Sequence, residues 1–226
     1  MVNAAGHPSN THAAGALAEL CQIYWPPLYS YLRRRGHDAE DAQDLTQGFF
    51  ARLLERQDFR SADPVRGRFR AFLLTALKRY AINEHEHATA ARRGGRQIRI
   101  ALDFEDAERT YIVDRRNDDS PDRIFDRKWA GIVIDRAFGR LRNECRDSGK
   151  SAVADALLPY LSDTGNLPAY STVAARLGLS EGAVKVAVHR LRQQFGAALR
   201  QEIAETMLPG EDVDGEMREL IRAISE

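Results

Sequence analysis

Apolar positions recur at helical spacing almost throughout this chain, and no stretch shows the strict alternation of a half-buried strand. The pattern therefore predicts an all-α fold. A first helix is expected from about Ala14 to Arg35, with Leu17, Leu20, Tyr24, Leu28, Tyr31 and Leu32 facing inward. Pro26-Pro27 should kink it or split it in two. A second helix is expected from Ala39 to Arg56, carrying Leu45, Phe49, Leu53 and Leu54 on one side. The stretch from Asp58 to Gly67 then reads as a loop punctuated by Pro64 and Gly67. A third helix, about Arg68 to Ala91, holds Phe69, Phe72, Leu73, Ala76, Leu77, Tyr80 and Ile82, and Arg92-Arg-Gly-Gly-Arg96 ends it.

Residues 97–120 read as an acidic, irregular interdomain linker, with a short extended piece between Ile98 and Phe104. Beyond it, a helix from Asp122 to about Arg146 carries Ile124, Phe125, Trp129, Ile132, Val133, Ala137 and Leu141. Another follows from about Ser151 to Leu161. The last long helix should run to about Met207, before Pro209-Gly210. Val213, Met217, Leu220, Ile221 and Ile224 then form the apolar stripe of an acidic tail helix that must dock on something. The expected layout is thus a mobile tail (1–13), a first small helical domain (14–96), the linker (97–120), a second domain (121–207) and the tail helix (208–226).

The segment from Tyr170 to Arg192 reads as two short helices joined by a tight turn. Val173, Ala174 and Leu177 form one stripe, and Gly178 supplies the left-handed backbone that a sharp turn needs. Leu179 is expected to plug the turn and Ser180 to cap the next helix, whose inner face is Val184, Ala187, Val188 and Leu191. On the outer face Lys185, His189 and Arg192 fall at i, i+4 and i+7, the stripe with which a recognition helix enters the major groove. An ordinary helical hairpin with a solvated basic face would share that pattern.

Charge changes the picture through its distribution. Lys+Arg and Asp+Glu both number 33, so net charge names no partner. Between Arg66 and Arg99, however, nine basic residues face two acidic ones, whereas 203–226 carries seven acidic and two basic. Such blocks imply one polyanion-facing surface and acidic segments elsewhere. Cys21 and Cys145 are too few for a disulfide framework or a zinc site. No apolar run approaches membrane length and no signal-like N-terminus is visible, so a cytoplasmic protein without membrane contact is expected.

Two surfaces carry candidate chemistry in the first half. Asp41, Asp44 and Gln47 fall along one edge of the second helix beside Leu45, Phe49 and Phe50. This is either a docking edge for a basic protein or a solvated face with helix-start acids favoured by the dipole. In the third helix Phe69, Phe72 and Tyr80 interleave with Arg66, Arg68, Arg70, Lys78 and Arg79. The combination suits unpaired DNA, although a core with snorkelling arginines looks similar. An enzyme reading would need a metal at Glu84-His-Glu-His87, but His85 and His87 point apart on a helix. No catalytic residue, metal or cofactor is expected.

Together, Asp41-Ala-Gln-Asp-Leu-Thr-Gln47, Gly67-Arg-Phe-Arg-Ala-Phe-Leu73 and Leu179-Ser-Glu-Gly-Ala-Val-Lys-Val-Ala-Val-His-Arg-Leu191 resemble a bacterial RNA polymerase sigma factor of the extracytoplasmic-function group, over about Ala14 to Thr206. The resemblance implies two helical domains, the second holding a helix-turn-helix, and core RNA polymerase and promoter DNA as partners. An anti-sigma factor or a regulatory kinase is a further partner class. Carried over by position, Asp41, Asp44 and Gln47 would bind the polymerase clamp helices. The loop from Phe59 to Phe69 would hold a flipped base, with Arg60, Arg66, Arg68, Phe69, Lys78, Arg79 and Asn83 serving the downstream promoter element. Ser180, Glu181, Gly182, Ala183, Lys185, Val186, His189, Arg190 and Arg192 would read the upstream element.

This chain departs from the family pattern at several positions. Gly48 stands where an acid is usual, Phe72 replaces a tryptophan and Arg79 an asparagine. Ala183, Val186 and Ala187 replace Thr, Ser and Arg, which leaves fewer polar groups for base edges and shifts readout toward phosphate and shape. Arg140 to Lys150 stands in place of a Leu-Pro-x-x-x-Arg motif. With the tail helix, the resemblance is to a divergent subgroup. The tail's Glu211, Asp212, Asp214, Glu216 and Glu219 would either lie over the basic recognition surface or accompany a helix that completes the second domain's core. Thr46 is a candidate phosphorylation site. Two other readings share the turn-and-helix pattern: a DNA-binding regulator that never joins polymerase, and an adaptor that has lost DNA binding.

Overall fold

The computed structural model describes residues 11–56, 67–90, 102–114, 119–161 and 167–225, for 11–18, 86–90 and 113–114 through the backbone alone. Among them the fold is all-α, with no strand. The helices are α1 (Thr11–Arg34), α2 (Ala39–Arg56), α3 (Phe69–Ala90), α4 (Phe104–Asp114), α5 (Pro121–Asp147), α6 (Ser151–Leu157), α7 (Tyr170–Leu177), α8 (Glu181–Glu205) and α9 (Val213–Ser225). A 3-10 turn, Leu158–Leu161, follows α6. Pro26 and Pro27 lie inside α1 without splitting it. The expected N-terminal tail lies outside the described residues up to position 10, while Thr11 to Ala13 belong to α1.

Two units emerge. The first takes in the described residues up to Ile132 and those from Ile203 onward; the second is Val133–Glu202. The divide therefore falls inside α5 and α8, not at the expected linker and at position 208. The reason is packing. Phe125 and Trp129, on the first turns of α5, are buried, and the Arg70 guanidinium of α3 sits 4.8 Å from the Trp129 ring centroid. The hydroxyl of Tyr24 donates to the carbonyl of Thr206 at 3.3 Å, and Ile203 and Met207 are buried. Ile23, Leu28, Tyr29, Leu32, Leu73 and Leu77 complete this core, each large side chain contributing roughly 1.5–3 kcal/mol by leaving water.

The expected linker is structured in its middle. Asp103 caps α4, accepting the Asp106 N–H at 3.3 Å. The helix then packs on α1 through Phe104, whose ring lies 4.9 Å from Trp25 and 5.4 Å from Tyr29. Glu108 accepts from Arg33 Nη2 at 2.8 Å, Arg33 Nε at 2.9 Å and the Tyr29 hydroxyl at 2.5 Å. Phe104, Ala107 and Tyr111 recur at helical spacing, a stripe that the acidic composition concealed. Residues 98–101 of the expected extended piece lie outside the described residues; Leu102 and Asp103 lead into α4, which Phe104 opens.

The tail helix docks on the first unit, which corrects both expectations for it. Glu216, buried among α3 and α5 residues, pairs with Arg70 Nε and with Arg68 Nε, the latter at 2.9 Å. Arg70 also pairs with Asp126. Burial raises the Asp126 carboxyl above its usual value despite the guanidinium beside it. Arg70, which burial alone would lower, is held above its usual value by Glu216 and Asp126. The tail goes where these arginines need counter-charge, since an unpaired buried guanidinium is costly.

The core of the second unit is Leu141, Leu157, Val173, Ala174, Val184, Val188 and Leu191. The turn after α7 is as expected at Gly178, with φ +65°. The Gly178 N–H donates to the Ala175 carbonyl and the Leu179 N–H to that of Ala174, a Schellman closure. Leu179 does not plug the turn; it is 40 % exposed.

Candidate protein and nucleic-acid interfaces

The first candidate surface is built by the start of α2. Asp38 caps the helix by accepting the Asp41 N–H at 2.8 Å, which fixes the register of the residues that follow. Asp41 and Asp44 are exposed and Gln47 is half-buried, at successive three-residue steps along one edge. Phe49 and Phe50 do not stand beside that edge. Both are buried, their rings 5.4 Å apart, so this candidate surface is acidic and polar without aromatic anchors. Thr46 is fully buried and its hydroxyl donates to the Ala42 carbonyl at 2.7 Å. A phosphate there has no room in the folded helix, which removes Thr46 as a modification site.

Gly48 has a packing reason. A Cβ at this position would lie 2.3 Å from Tyr80 Oη, so α2 and α3 meet through a glycine facing a tyrosine. Burial raises the Tyr80 hydroxyl to about 12, with Glu84 adding to the shift. Gly48→Ala should cost about 1 kcal/mol net, because the overpacking loss of about 1–3 kcal/mol exceeds the helix gain of about 1 kcal/mol. In a Tyr80→Phe background the loss should shrink or reverse. Equal effects of Gly48→Ala in both backgrounds, measured by urea unfolding, would contradict the contact.

The second candidate surface lies between α2 and α3. Phe49, Arg52, Leu53, Phe72, Ala76, Arg79, Tyr80 and Asn83 line a cavity of about 250 Å³. The Arg52 guanidinium sits 5.7 Å from the Tyr80 ring centroid. Arg79 and Asn83 are exposed at this site, so aromatic faces, two cations and an amide converge on one concavity. The other residues expected to serve the downstream element are placed differently. Phe69 is 3 % exposed, its ring edge-on to Tyr24 at 5.8 Å, and is a core residue. Arg68 pairs with Glu216 and Glu219. Lys78 pairs with Asp122 at 2.6 Å and lies 5.2 Å from the Tyr31 ring centroid. Arg60 and Arg66 lie outside the described residues, as does most of the expected Phe59 to Phe69 loop.

The third surface is the outer face of α8. Ser180 accepts the Ala183 N–H at 3.2 Å and so caps the helix. Glu181, Gly182, Ala183, Lys185, Val186, His189 and Arg190 are all exposed. Lys185 pairs with Glu181 at 2.7 Å, and that hydrogen bond raises its ammonium. Arg192 does not join the stripe freely: its Nη2 donates to the Tyr160 carbonyl at 3.0 Å, holding α8 to the turn after α6. Ala183, Val186 and Ala187, the positions that lack polar groups, wall an apolar groove of about 540 Å³ completed by Cys145, Val153 and Leu157. Among the described residues no three His, Cys, Asp or Glu side chains are grouped to hold a metal ion, and no helix is long and apolar enough to cross a membrane.

Residues 20–92 match the family model of sigma-70 region 2. The match takes in most of α1, all of α2 and α3, and with them the acidic edge and the cavity between α2 and α3. It covers about a third of the chain and includes neither α8 nor α9. No curated protein and no solved structure matches the chain.

Within the matched segment, sequence reasoning missed Arg52 and the Gly48–Tyr80 contact. Their signal was present only as a pair: a glycine inside one helix and a bulky ring on another, which no linear pattern connects.

Proposed function

We propose that this protein is a sigma-type transcription initiation factor of the extracytoplasmic-function group, acting by binding, without catalysis or cofactor, in the cytoplasm. The observation that carries the reading is the coincidence of the sigma-70 region 2 match with two separate surfaces of one unit. One is an exposed acidic edge at Asp41, Asp44 and Gln47, suited to a basic face of core RNA polymerase. The other is the cavity at Phe72, Arg79, Tyr80 and Asn83, which has the rings, cations and amide that an unstacked promoter base requires.

The second unit contributes upstream promoter contacts through Lys185, His189 and Arg190, on a helix-turn-helix whose second helix is α8. Its apolar Ala183 and Val186 leave base-edge readout thin, so phosphate and shape dominate. Restraint by an anti-sigma factor, or by a kinase acting at a position other than Thr46, belongs to the same proposal.

Run-off transcription tests it. The purified chain, mixed with sigma-free core polymerase and fragments of its own genome, should produce transcripts with a shared upstream sequence pair. No transcript above core polymerase alone would overturn the reading. Tight duplex binding with no polymerase binding would instead identify a DNA-binding regulator.

A further inference from the structure

We propose that the acidic C-terminal helix α9, with Glu211 just before it, is an intramolecular mask: these carboxylates occupy the start of α3 and keep Arg68 from nucleic-acid phosphate until the outer ones, Glu211 and Glu219, are displaced. The proposal rests on the reading that the first unit meets promoter DNA.

The first turn of a helix presents unpaired N–H groups and positive dipole charge, which suits an oxyanion. At the start of α3 one of these N–H groups and the two arginine side chains beside it are taken by the chain's own acids. Glu211 Oε1 accepts the Phe69 N–H at 2.9 Å. Glu216 takes Arg68 and Arg70, and Glu219 Oε1 lies 3.6 Å from Arg68 Nη2. A phosphodiester would need the same donors, so it and α9 compete.

The contact has two tiers. Arg70 and Glu216 are both buried, their side chains 8 % and 3 % exposed, and this pair anchors α9. Arg68, 40 % exposed, reaches both tiers: its Nε lies 2.9 Å from the buried Glu216, and its Nη2 lies 3.6 Å from Glu219, 26 % exposed, where an ion pair is weak and replaceable. Glu219 also has a second cation at hand, Arg222 Nη1, at 3.0 Å, so releasing Arg68 leaves its carboxylate paired. The other oxygen of Glu211, Oε2, is buried and makes no hydrogen bond among the described residues. Burial raises this carboxyl above its usual value, which makes Glu211 a poorly satisfied ligand. The outer tier is thus built to yield while the inner one holds.

The test uses the full chain and a fluorescein-labelled, mixed-sequence single-stranded oligonucleotide. Glu211→Gln combined with Glu219→Gln should tighten binding by about threefold to fivefold at low salt and steepen the salt dependence. Adding Arg68→Ala should return both to the parent values. Saturating the unaltered chain with the oligonucleotide should also raise amide exchange at 217–225, beyond the Glu216 anchor, a readout that needs no variant. Binding by the parent with unchanged or weaker binding by the double variant, or no change in exchange, would show α9 to be a permanent brace and overturn the mask while the DNA reading stands. Failure of parent and variants alike to bind the oligonucleotide would overturn both.

Discussion

Replacing Glu216 by alanine is expected to destabilise the first unit by about 3–5 kcal/mol, the loss that follows when one partner of a buried ion pair is removed. Arg70 would be left against the Trp129 ring with only Asp126, itself part-exposed, as counter-charge. Both tryptophans of the chain, Trp25 and Trp129, lie in this unit, so intrinsic fluorescence during urea unfolding reports on it without the second unit. The midpoint should fall with little change in slope. Arg70→Met with Glu216→Leu should recover most of the loss, since an apolar pair of similar volume removes the charge it would otherwise strand. A loss below about 1 kcal/mol for Glu216→Ala would mean that the pair behaves as a solvated surface pair, and that α9 is not integral to the fold.

The second large effect concerns partner binding. Asp41→Lys together with Asp44→Lys should abolish assembly with core polymerase, weakening it by about a hundredfold or more, because like charges brought together across an interface cost several kcal/mol. Both side chains are exposed, and folding stability should change by no more than about 0.5 kcal/mol from Asp44→Lys alone. Asp41 sits in the first turn of α2, where its charge also favours the helix by about 0.3–1 kcal/mol, so the single Asp44 variant separates docking from helix stability. Co-purification on immobilised polymerase is the measurement, with an unchanged urea midpoint expected of the single Asp44 variant. Retained assembly by the double variant would remove this edge as the docking surface.

These two effects lie at opposite ends of what a linear reading can reach. The acidic edge was legible because it depends on one helix only: Asp38 caps, the residues that follow fall into register, and exposure follows from polarity. The cavity between α2 and α3 was half legible. Arg79 and Tyr80 stood out by type and spacing and Asn83 through the family resemblance, whereas Arg52 acquires meaning only when α2 meets α3 at Gly48. Phe69 shows the limit of residue type as a guide. An aromatic flanked by arginines reads equally as a base-stacking platform and as a core residue, and its contact with Tyr24, forty-five positions away in the chain, decides for the core.

By itself the sequence determined the all-helical class, the approximate bounds of every helix but α4, and the turn at Gly178, since periodicity, caps and a left-handed glycine act within a few residues of one another. Tertiary structure alone decided that α4 folds onto α1 and that α9 joins the first unit. Both outcomes depend on finding counter-charge for particular groups, Arg33 with Glu108 and Arg70 with Glu216. An arginine's need for a partner is written in the chain. Which of many acids supplies it depends on the apolar surface each acid's helix can bury alongside, and that surface exists only once the other helices have packed.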